Sequence, residues 1–236
     1  ETPFADVEFS ENGTIKSLYD SAVRREIVDG LPLNTFLMAE DVPATWDNWD
    51  IDADLESKFK PSMQLLSREV VSDGEVAYIV RSKYRISEKS TIKQDMIFFA
   101  NSAEIRFDTA MDWNDDHRFL KAAFETSIFE DFARNEVQFG YVKRPTTRNN
   151  SIEQAKFEVV NHKYSDLSES QYGVSLLNDC KYALSLNGGG MYLSLHKGGT
   201  RPDDKGDKDG IHRCVYSFLP HRSGFNSESV IHPAYM

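Results

Sequence analysis

The feature of this chain that most restricts its fold is a series of short runs in which apolar and polar residues alternate, separated by turn-forming residues. A period of two is typical of a strand with one buried face. The first two runs, residues 7–10 and 14–18, flank Asn12 and Gly13, a pair that tolerates positive φ. This arrangement predicts a β-hairpin at the start of the sequence.

The same pattern continues to the end of the chain. Further strands are predicted at residues 67–71, 76–84, 92–99, 104–108, 119–124, 137–142, 157–161, 173–178, 191–196 and 212–219. Helical signals are limited to a capping box at residues 151–154 and a single turn at 54–60 that stops at Pro61. Around a dozen short strands predict an all-β fold, with two large antiparallel sheets packed on each other.

No repeat, low-complexity tract or linker divides the 236 residues, so a single domain over 1–236 is predicted. The hydrophobic share of 40% is enough to bury a substantial core. The three glycines at 188–190 lie between predicted strands and are interpreted as a hairpin tip, because a phosphate cradle requires a following helix. The mixed-charge run 203–210 is interpreted as an exposed connection.

Charge and chain termini restrict the partners that can be expected. A net charge of −11 without a basic stripe argues against nucleic acid and anionic membranes, but is compatible with a neutral polyhydroxylated ligand. No apolar run approaches the roughly 18 residues of a membrane span, and there is neither a signal peptide nor an initiator Met. We therefore expect an internal segment of a longer polypeptide. Cys180 and Cys214 are expected to be buried thiols, which favours a cytoplasmic location.

The sequence offers no complete catalytic apparatus. Its six histidines have no zinc-ligand spacing, and neither a nucleophile elbow nor a reactive-cysteine signature is present. The alternating acids from Asp50 to Asp54 resemble a calcium loop, but Leu55 stands where such a loop needs glycine. We therefore predict neither catalytic residues nor a metal site in this chain.

Three segments outside the predicted strands combine aromatic rings with amides or carboxylates, the mixture that binds sugars by stacking and hydrogen bonding. They are 40–52, 112–117 and 177–182. For the first, the structural alternative is a loop that caps the core. The second could equally fasten its own backbone. The third, where a strand runs into an amide, an acid, a base and a phenol, leaves both interpretations open.

These three segments, in this order, resemble the C-terminal β-sandwich region of the α-mannosidases of glycoside hydrolase family 38. Residues 136–146, 155–159, 162–168 and 172–174 extend the resemblance to nearly the whole chain. The resemblance implies a large antiparallel β-supersandwich, similar to the galactose mutarotase fold, behind an α/β catalytic domain. It also implies that the parent protein hydrolyses terminal α-mannose with retention, using zinc and an aspartate nucleophile on that catalytic domain. No zinc or other cofactor is expected in this chain, which we expect to be inactive alone.

The resemblance implies that loops of the sandwich pack on the catalytic domain and help to shape the mannose pocket. The residues to which it gives this supporting role are Trp46, Asp47, Trp49, Asp50, Asn178 and Asp179. The chain departs from the family pattern at Asn48, where alanine is common, at Thr147, where histidine is common, and at Ala183, where glycine is usual. The last difference affects the expected geometry around Asn178 and Asp179.

Three other functions remain open from the sequence. An independent mutarotase or epimerase would need a histidine and a carboxylate that converge on one concave sheet. A free-standing carbohydrate-binding module would need exposed tryptophans. A purely structural brace would pack Trp46 and Trp49 against the catalytic domain. The expected function is that of the non-catalytic C-terminal domain of an exo-α-mannosidase in carbohydrate catabolism.

Overall fold

The computed structural model describes residues 1–201 and 210–236, and almost all of its regular structure is β-strand. The strands are β1 (Asp6–Phe9), β2 (Ile15–Asp20), β3 (Arg25–Glu26), β4 (Thr35–Glu40), β5 (Lys60–Pro61), β6 (Gln64–Asp73), β7 (Ala77–Arg85), β8 (Thr91–Phe99), β9 (Ile105–Trp113), β10 (Arg118–Glu125), β11 (Phe132–Val137), β12 (Gly140–Pro145), β13 (Val159–Val160), β14 (Tyr164–Ser168), β15 (Gly173–Asn178), β16 (Ala183–Asn187), β17 (Gly190–Lys197) and β18 (Gly210–His221). The predicted exposed connection at 203–210 lies outside the described residues, apart from its last position.

The strands form two packed sheets and a small third one. The larger sheet has nine strands in the order β12-β11-β14-β15-β18-β9-β8-β7-β6, and the second has six in the order β13-β16-β17-β10-β4-β5. Strands β1 to β3 form the third sheet. All strand pairs named here are antiparallel, for example β9 with β18 and β10 with β17. The predicted all-β antiparallel supersandwich is confirmed.

The core lies between the two large sheets and follows from side-chain alternation. In β9, Phe107, Met111 and Trp113 are buried, whereas Asp108 and Asp112 are exposed on the opposite face. Within the nine-stranded sheet the rings of the cross-strand neighbours Phe107 and Tyr216 stack with centroids 5.2 Å apart, and Phe107 meets Phe124 of the other sheet with centroids 5.8 Å apart. The largest fully buried side chains are Trp113, Tyr84, Tyr216, Phe36, Phe107, Phe124 and Phe218.

Most predicted strands are present, but their limits differ. The opening hairpin pairs Val7 with Leu18, and the predicted strand 173–178 coincides with β15. Gly188 and Gly189 form the hairpin tip between β16 and β17, as predicted, and Gly190 is the first residue of β17. The predicted strand 137–142 is wrong, because Gln138 and Phe139 form the turn between β11 and β12. Phe139 has a φ of 67°, a conformation that its residue type does not signal.

The sequence pattern missed β4 and β14, which are buried on both faces, although it predicted β10 and β15, which are buried in the same way. In β4 and β14, five consecutive residues are buried, so no alternation reveals the strand. The short helices were better predicted. A 3-10 helix covers Ala53–Lys58, and α1 covers Ser151–Gln154, although its N-cap is Asn150 rather than Ser151.

The final segment covers part of the outer face of the nine-stranded sheet. A π-helical turn over Ser227–Ile231 runs into α2 (His232–Tyr235), and neither was predicted. Val230 is buried there against Tyr164, Leu177 and Leu219. No helix in the described parts of the chain is both long and apolar enough to cross a membrane.

The two cysteines differ in exposure. Both are free thiols, but only Cys214 is buried, and burial raises its pKa to about 12. The prediction of two buried thiols is wrong for Cys180, which is exposed in the turn that follows β15. Its Sγ lies 3.9 Å from the carbonyl oxygen of Arg213.

Candidate functional site

Two of the three tryptophans lie in an exposed loop. This tryptophan loop, residues 41–52, connects β4 to the 3-10 helix. Trp46 is 53% exposed and Trp49 is 72% exposed, with ring centroids 5.9 Å apart and planes at 40°. Trp113, by contrast, is fully buried. Large aromatic side chains are usually withdrawn from water, so an adjacent exposed pair indicates a binding surface.

The loop backbone is held in a strained conformation. Trp46 has a φ of 53°, which costs a residue with a bulky side chain roughly 1–2 kcal/mol. The carbonyl oxygen of Trp46 accepts hydrogen bonds from the amides of Trp49 at 2.7 Å and Asp50 at 2.9 Å, which closes a tight turn. Strain of this kind persists only where surrounding contacts impose it.

Asp47 supplies one of these contacts. Its carboxylate is buried and accepts hydrogen bonds from the amides of Thr200 at 2.8 Å and Arg201 at 2.5 Å, and from Thr200 Oγ1 at 3.1 Å. Burial alone would raise the pKa of Asp47, but these hydrogen bonds outweigh it and hold the pKa below its usual value. Asp47 therefore fastens the loop to the segment after β17, and both of its carboxylate oxygens are engaged in doing so.

Lys197, the last residue of β17, is the second anchor. Its Nζ donates a hydrogen bond to the carbonyl oxygen of Asp50 and lies 3.0 Å from Asp41 Oδ2. Burial raises the pKa of Asp41, and Lys197 acts in the opposite direction. An ion pair with one fully buried partner is costly to break, because the remaining charge is left without a counterion. Lys197 thus fixes both ends of the tryptophan loop.

Two glycines after β17 allow its neighbours to approach closely: Gly199 meets the tryptophan loop, and Gly198 meets the segment 112–117. A Cβ atom on Gly198 would lie 2.3 Å from the carbonyl oxygen of Asp115, and one on Gly199 would lie 1.9 Å from Asn48 Oδ1. No other residue fits at these positions without displacement of its neighbours. The requirement explains why Gly198 and Gly199 directly precede the residues that bind Asp47.

A cavity of about 440 Å³ opens beside the indole of Trp46. It is lined by Val42, Pro43, Ala44, Thr45, Trp46, Asp47, His117, Thr200 and Arg201. An aromatic face next to hydroxyl, guanidinium and imidazole groups suits a pyranose ring, which presents C–H bonds on its faces and hydroxyls at its edge. The carboxylate of Asp50 is exposed to solvent and accepts a hydrogen bond from Thr45 Oγ1 at 3.3 Å.

Asn178 and Asp179 lie elsewhere, where β15 ends. Asn178 is buried, and its amide donates to the carbonyl oxygen of His162 at 2.6 Å and accepts from the backbone of Lys181 at 2.7 Å. Asp179 is exposed beside a separate cavity of about 250 Å³ that Arg106 also lines. The structure therefore places the six predicted site residues in two groups. Four lie in the tryptophan loop, where Trp46 and Asp47 line the first cavity, and Asn178 and Asp179 line the second.

The segment 112–117 lies against the tryptophan loop, which it contacts through His117 and Asp47. Trp113 Nε1 donates to the carbonyl oxygen of Asp115 at 2.7 Å, and the Asp115 carboxylate accepts hydrogen bonds from the hydroxyls of Ser87 and Ser90. His117 Nδ1 lies 3.2 Å from Asp47 Oδ2. Sequence reasoning had noted the segment but had not connected it with Asp47, and it missed Lys197 and Thr200, which carry no motif.

The sequence could not name the histidine–carboxylate pair that a mutarotase needs, but the structure contains one on the nine-stranded sheet. His221 Nε2 lies 2.9 Å from Asp166 Oδ2, and the same oxygen accepts a hydrogen bond from Ser175 Oγ at 2.9 Å. The other ring nitrogen of His221 lies 2.8 Å from the carbonyl oxygen of Ser223. Both residues are buried with these atoms engaged inside the protein, so the pair ties β14 to β18 rather than facing a ligand.

The part of the chain that the structure describes offers no zinc site. Within residues 1–201 and 210–236, no three His, Cys, Asp or Glu side chains form a group that could hold a metal ion. The rings of His196 and His212 are neighbours, with centroids 4.2 Å apart, but they are two and not three. No catalytic step through a metal can therefore be assigned to these residues.

Two packed antiparallel sheets with an exposed aromatic loop define a β-supersandwich domain. The family model described as "Glycosyl hydrolases family 38 C-terminal domain" matches residues 1–205. The chain therefore belongs to this family, which confirms the resemblance drawn from the three segments.

Curated relatives agree with this membership. The chain is 38% identical to "Alpha-mannosidase G" of Dictyostelium discoideum over 242 residues, covering 100% of this chain and 22% of that protein. It is 36% identical to "Alpha-mannosidase 2C1" of Homo sapiens over 231 residues, covering 97% of this chain and 22% of that protein. The chain thus spans about a fifth of the length of these relatives.

A solved structure shows the same fold. The alpha-mannosidase from Enterococcus faecalis V583 superimposes with a TM-score of 0.81 at 14% identity, covering 100% of this chain and 30% of that chain. At this identity the likeness concerns the fold alone.

Proposed function

We propose that this chain is the non-catalytic C-terminal domain of a retaining, zinc-dependent exo-α-mannosidase of carbohydrate catabolism, where it packs on the catalytic domain and helps to shape the mannose pocket. The observation that carries the proposal is the exposed pair Trp46 and Trp49, held in a strained loop by buried polar anchors. Two adjacent indoles exposed to water are unfavourable, and such apolar patches usually mark a surface that binds a ligand or a partner.

The proposed roles of the two domains follow from the absence of a metal-holding group among the described residues. Zinc and the aspartate nucleophile belong, in this proposal, to the remainder of the polypeptide, since no metal-holding group occurs among the described residues. The sandwich positions the substrate: the indoles stack on the sugar ring, and the polar residues that line the cavity orient the sugar hydroxyls. Its partners are the catalytic domain of the same polypeptide and mannosides. A cytoplasmic location is proposed because both cysteines are free thiols.

A carbohydrate-binding module is the second candidate function. The exposure of Trp46 and Trp49 favours it, since a module needs tryptophans that are free to stack on sugar without a neighbouring domain. A purely structural brace would instead use the same indoles as interface packing. The three functions differ in what the loss of an indole changes: turnover, sugar affinity or stability.

The test is the replacement of Trp46 and Trp49 by alanine in the full-length polypeptide. We expect kcat/KM for an aryl α-mannoside to fall about tenfold per indole, because an aromatic stack contributes up to ~1.5 kcal/mol and 1.36 kcal/mol corresponds to a factor of ten. The melting temperature should change little. Phe129→Ala, at another exposed aromatic residue, is the control. Unchanged turnover in the tryptophan variants contradicts the proposal, and a parallel loss of stability supports the brace.

A further inference from the structure

His117 occupies an unusual backbone position next to the tryptophan loop. Its φ is 52°, in the left-handed region. Its amide donates to the carbonyl oxygen of Gly198 at 2.7 Å, and its own carbonyl oxygen accepts from the amide of Asp41 at 2.8 Å. The residue is therefore clamped between the end of β17 and the first residue of the tryptophan loop.

The imidazole of His117 completes the surroundings of Asp47. Its Nδ1 lies 3.2 Å from Asp47 Oδ2, the oxygen that also accepts from the amide and hydroxyl of Thr200. A buried carboxylate needs hydrogen-bond donors or counterions around it. Thr200 and Arg201 approach Asp47 from the segment after β17, whereas His117 approaches from the loop between β9 and β10. Three segments of the chain thus meet at one carboxylate.

The contacts to Asp47 fix the backbone conformation of the loop that carries the two indoles. Trp46 directly precedes Asp47 and is itself in the left-handed region. A strained residue keeps its conformation only while its neighbours fix it, so the loss of one contact to Asp47 allows Trp46 to relax and its indole to move. Misplacement by about 1 Å in a residue that orients a substrate is sufficient to lower a reaction rate strongly.

We propose that His117 is a positioning residue for the sugar pocket, holding Asp47 and through it the indoles of Trp46 and Trp49 in their working orientation. The inference rests on the proposed function, because it takes the indoles to face the sugar. His117 acts through Asp47 and takes no part in bond making.

Two substitutions separate positioning from general stability. In His117→Asn the side-chain amide nitrogen takes a place close to that of Nδ1, and asparagine tolerates the left-handed region better than most residues. His117→Ala removes the imidazole and with it the 3.2 Å approach of Nδ1 to Asp47 Oδ2. In the full-length polypeptide we expect kcat/KM for an aryl α-mannoside to fall about tenfold in H117A and to stay within about threefold of the parent in H117N.

Hydrogen exchange of the peptide that covers residues 41–52 provides a readout independent of activity. Faster exchange is expected in H117A and near-parental exchange in H117N, because only H117N retains the contact to Asp47. The inference is overturned if H117A leaves both exchange and turnover unchanged, or if H117N is as impaired as H117A. Failure of the proposed function is recognised separately: full turnover in the Trp46→Ala, Trp49→Ala double variant rejects it, whatever His117 does to exchange.

Discussion

The tryptophan loop and the turn at 178–181 contain similar residues but use them in opposite ways. In the tryptophan loop the carboxylate of Asp47 faces inward and binds backbone amides, while the indoles face outward. In the turn after β15 the amide of Asn178 faces inward and the carboxylate of Asp179 faces outward. In each case the unsatisfied backbone groups nearby decide which polar side chain is buried. Of the two, only the tryptophan loop exposes an adjacent pair of indoles.

The largest effect is expected from Gly198→Ala. Its Cβ would lie 2.3 Å from the carbonyl oxygen of Asp115, so backbone on one side must move and the tryptophan loop must move with it. We expect a loss of stability of about 2 kcal/mol or more, within the range of overpacking, and at least a tenfold loss in kcat/KM. Thermal unfolding and kinetics of the full-length polypeptide measure both. Gly140→Ala is the matched control, since nothing lies within 4 Å of its added Cβ.

Asp47→Asn tests the inward-facing carboxylate itself. The amide cannot accept from Thr200 and Arg201 as the carboxylate does, so buried donors lose their partners, at a cost of about 1–3 kcal/mol. Turnover should fall with it. Asp50→Asn, at the exposed carboxylate of the same loop, should change stability by less than about 0.5 kcal/mol. Equal losses of stability in the two variants would show that the buried carboxylate of Asp47 stabilises the loop no more than the exposed carboxylate of Asp50.

Acid provides a second test of Asp47. Because its folded-state pKa is below its usual value, the stability it contributes is present above the unfolded pKa of about 3.9 and is lost as pH falls through the folded pKa. The difference in melting temperature between the parent protein and Asp47→Asn should therefore shrink as pH is lowered from 7 to below 4. A difference that stays constant over this range would show that the charge of Asp47 is not what stabilises the loop.

Asn178→Ala is expected to weaken the fold without changing the chemistry. It removes the hydrogen bonds to His162 and Lys181 that close the turn, at a cost of about 1–2 kcal/mol. At a temperature where the protein remains folded, kcat/KM should stay within about twofold of the parent value. A tenfold loss of turnover with unchanged stability would instead show that Asn178 contributes to the sugar pocket.

The smallest effect is expected from Asp179→Asn, because the carboxylate is exposed and bordered by a separate cavity. Stability should change by less than about 0.5 kcal/mol. Kinetics and thermal unfolding against the parent protein are sufficient to measure this. A substantial loss of activity would show that the second cavity also serves the substrate.

Alternation and turn residues made part of the fold predictable, and burial on both faces hid some strands but not β10 and β15. Strands with one exposed face and a glycine-containing turn, such as the hairpin around Gly13, were readable from the sequence. The strand β4 was not, because all but its last residue are buried and no alternation marks it. The turn at Phe139 was missed because a phenylalanine in the left-handed region gives no turn signal.

The candidate site was predictable in composition but not in orientation. Two tryptophans, each followed by an aspartate, mark the loop in the sequence. The direction in which Asp47 points depends on Thr200, which is 153 positions away and carries no motif. The same limit applies to Lys197 and His117, whose partners become apparent only when the ends of β17 and β9 are placed beside the loop.

The most direct test of the account is hydrolysis of an aryl α-mannoside, with added zinc, by this chain alone and by the chain recombined with the remainder of its polypeptide. The account predicts no turnover by the chain alone, turnover in the recombined sample, and a reduced rate when the recombined chain carries Trp46→Ala and Trp49→Ala. Turnover by the chain alone would contradict it and would direct attention to a catalytic pair within these residues.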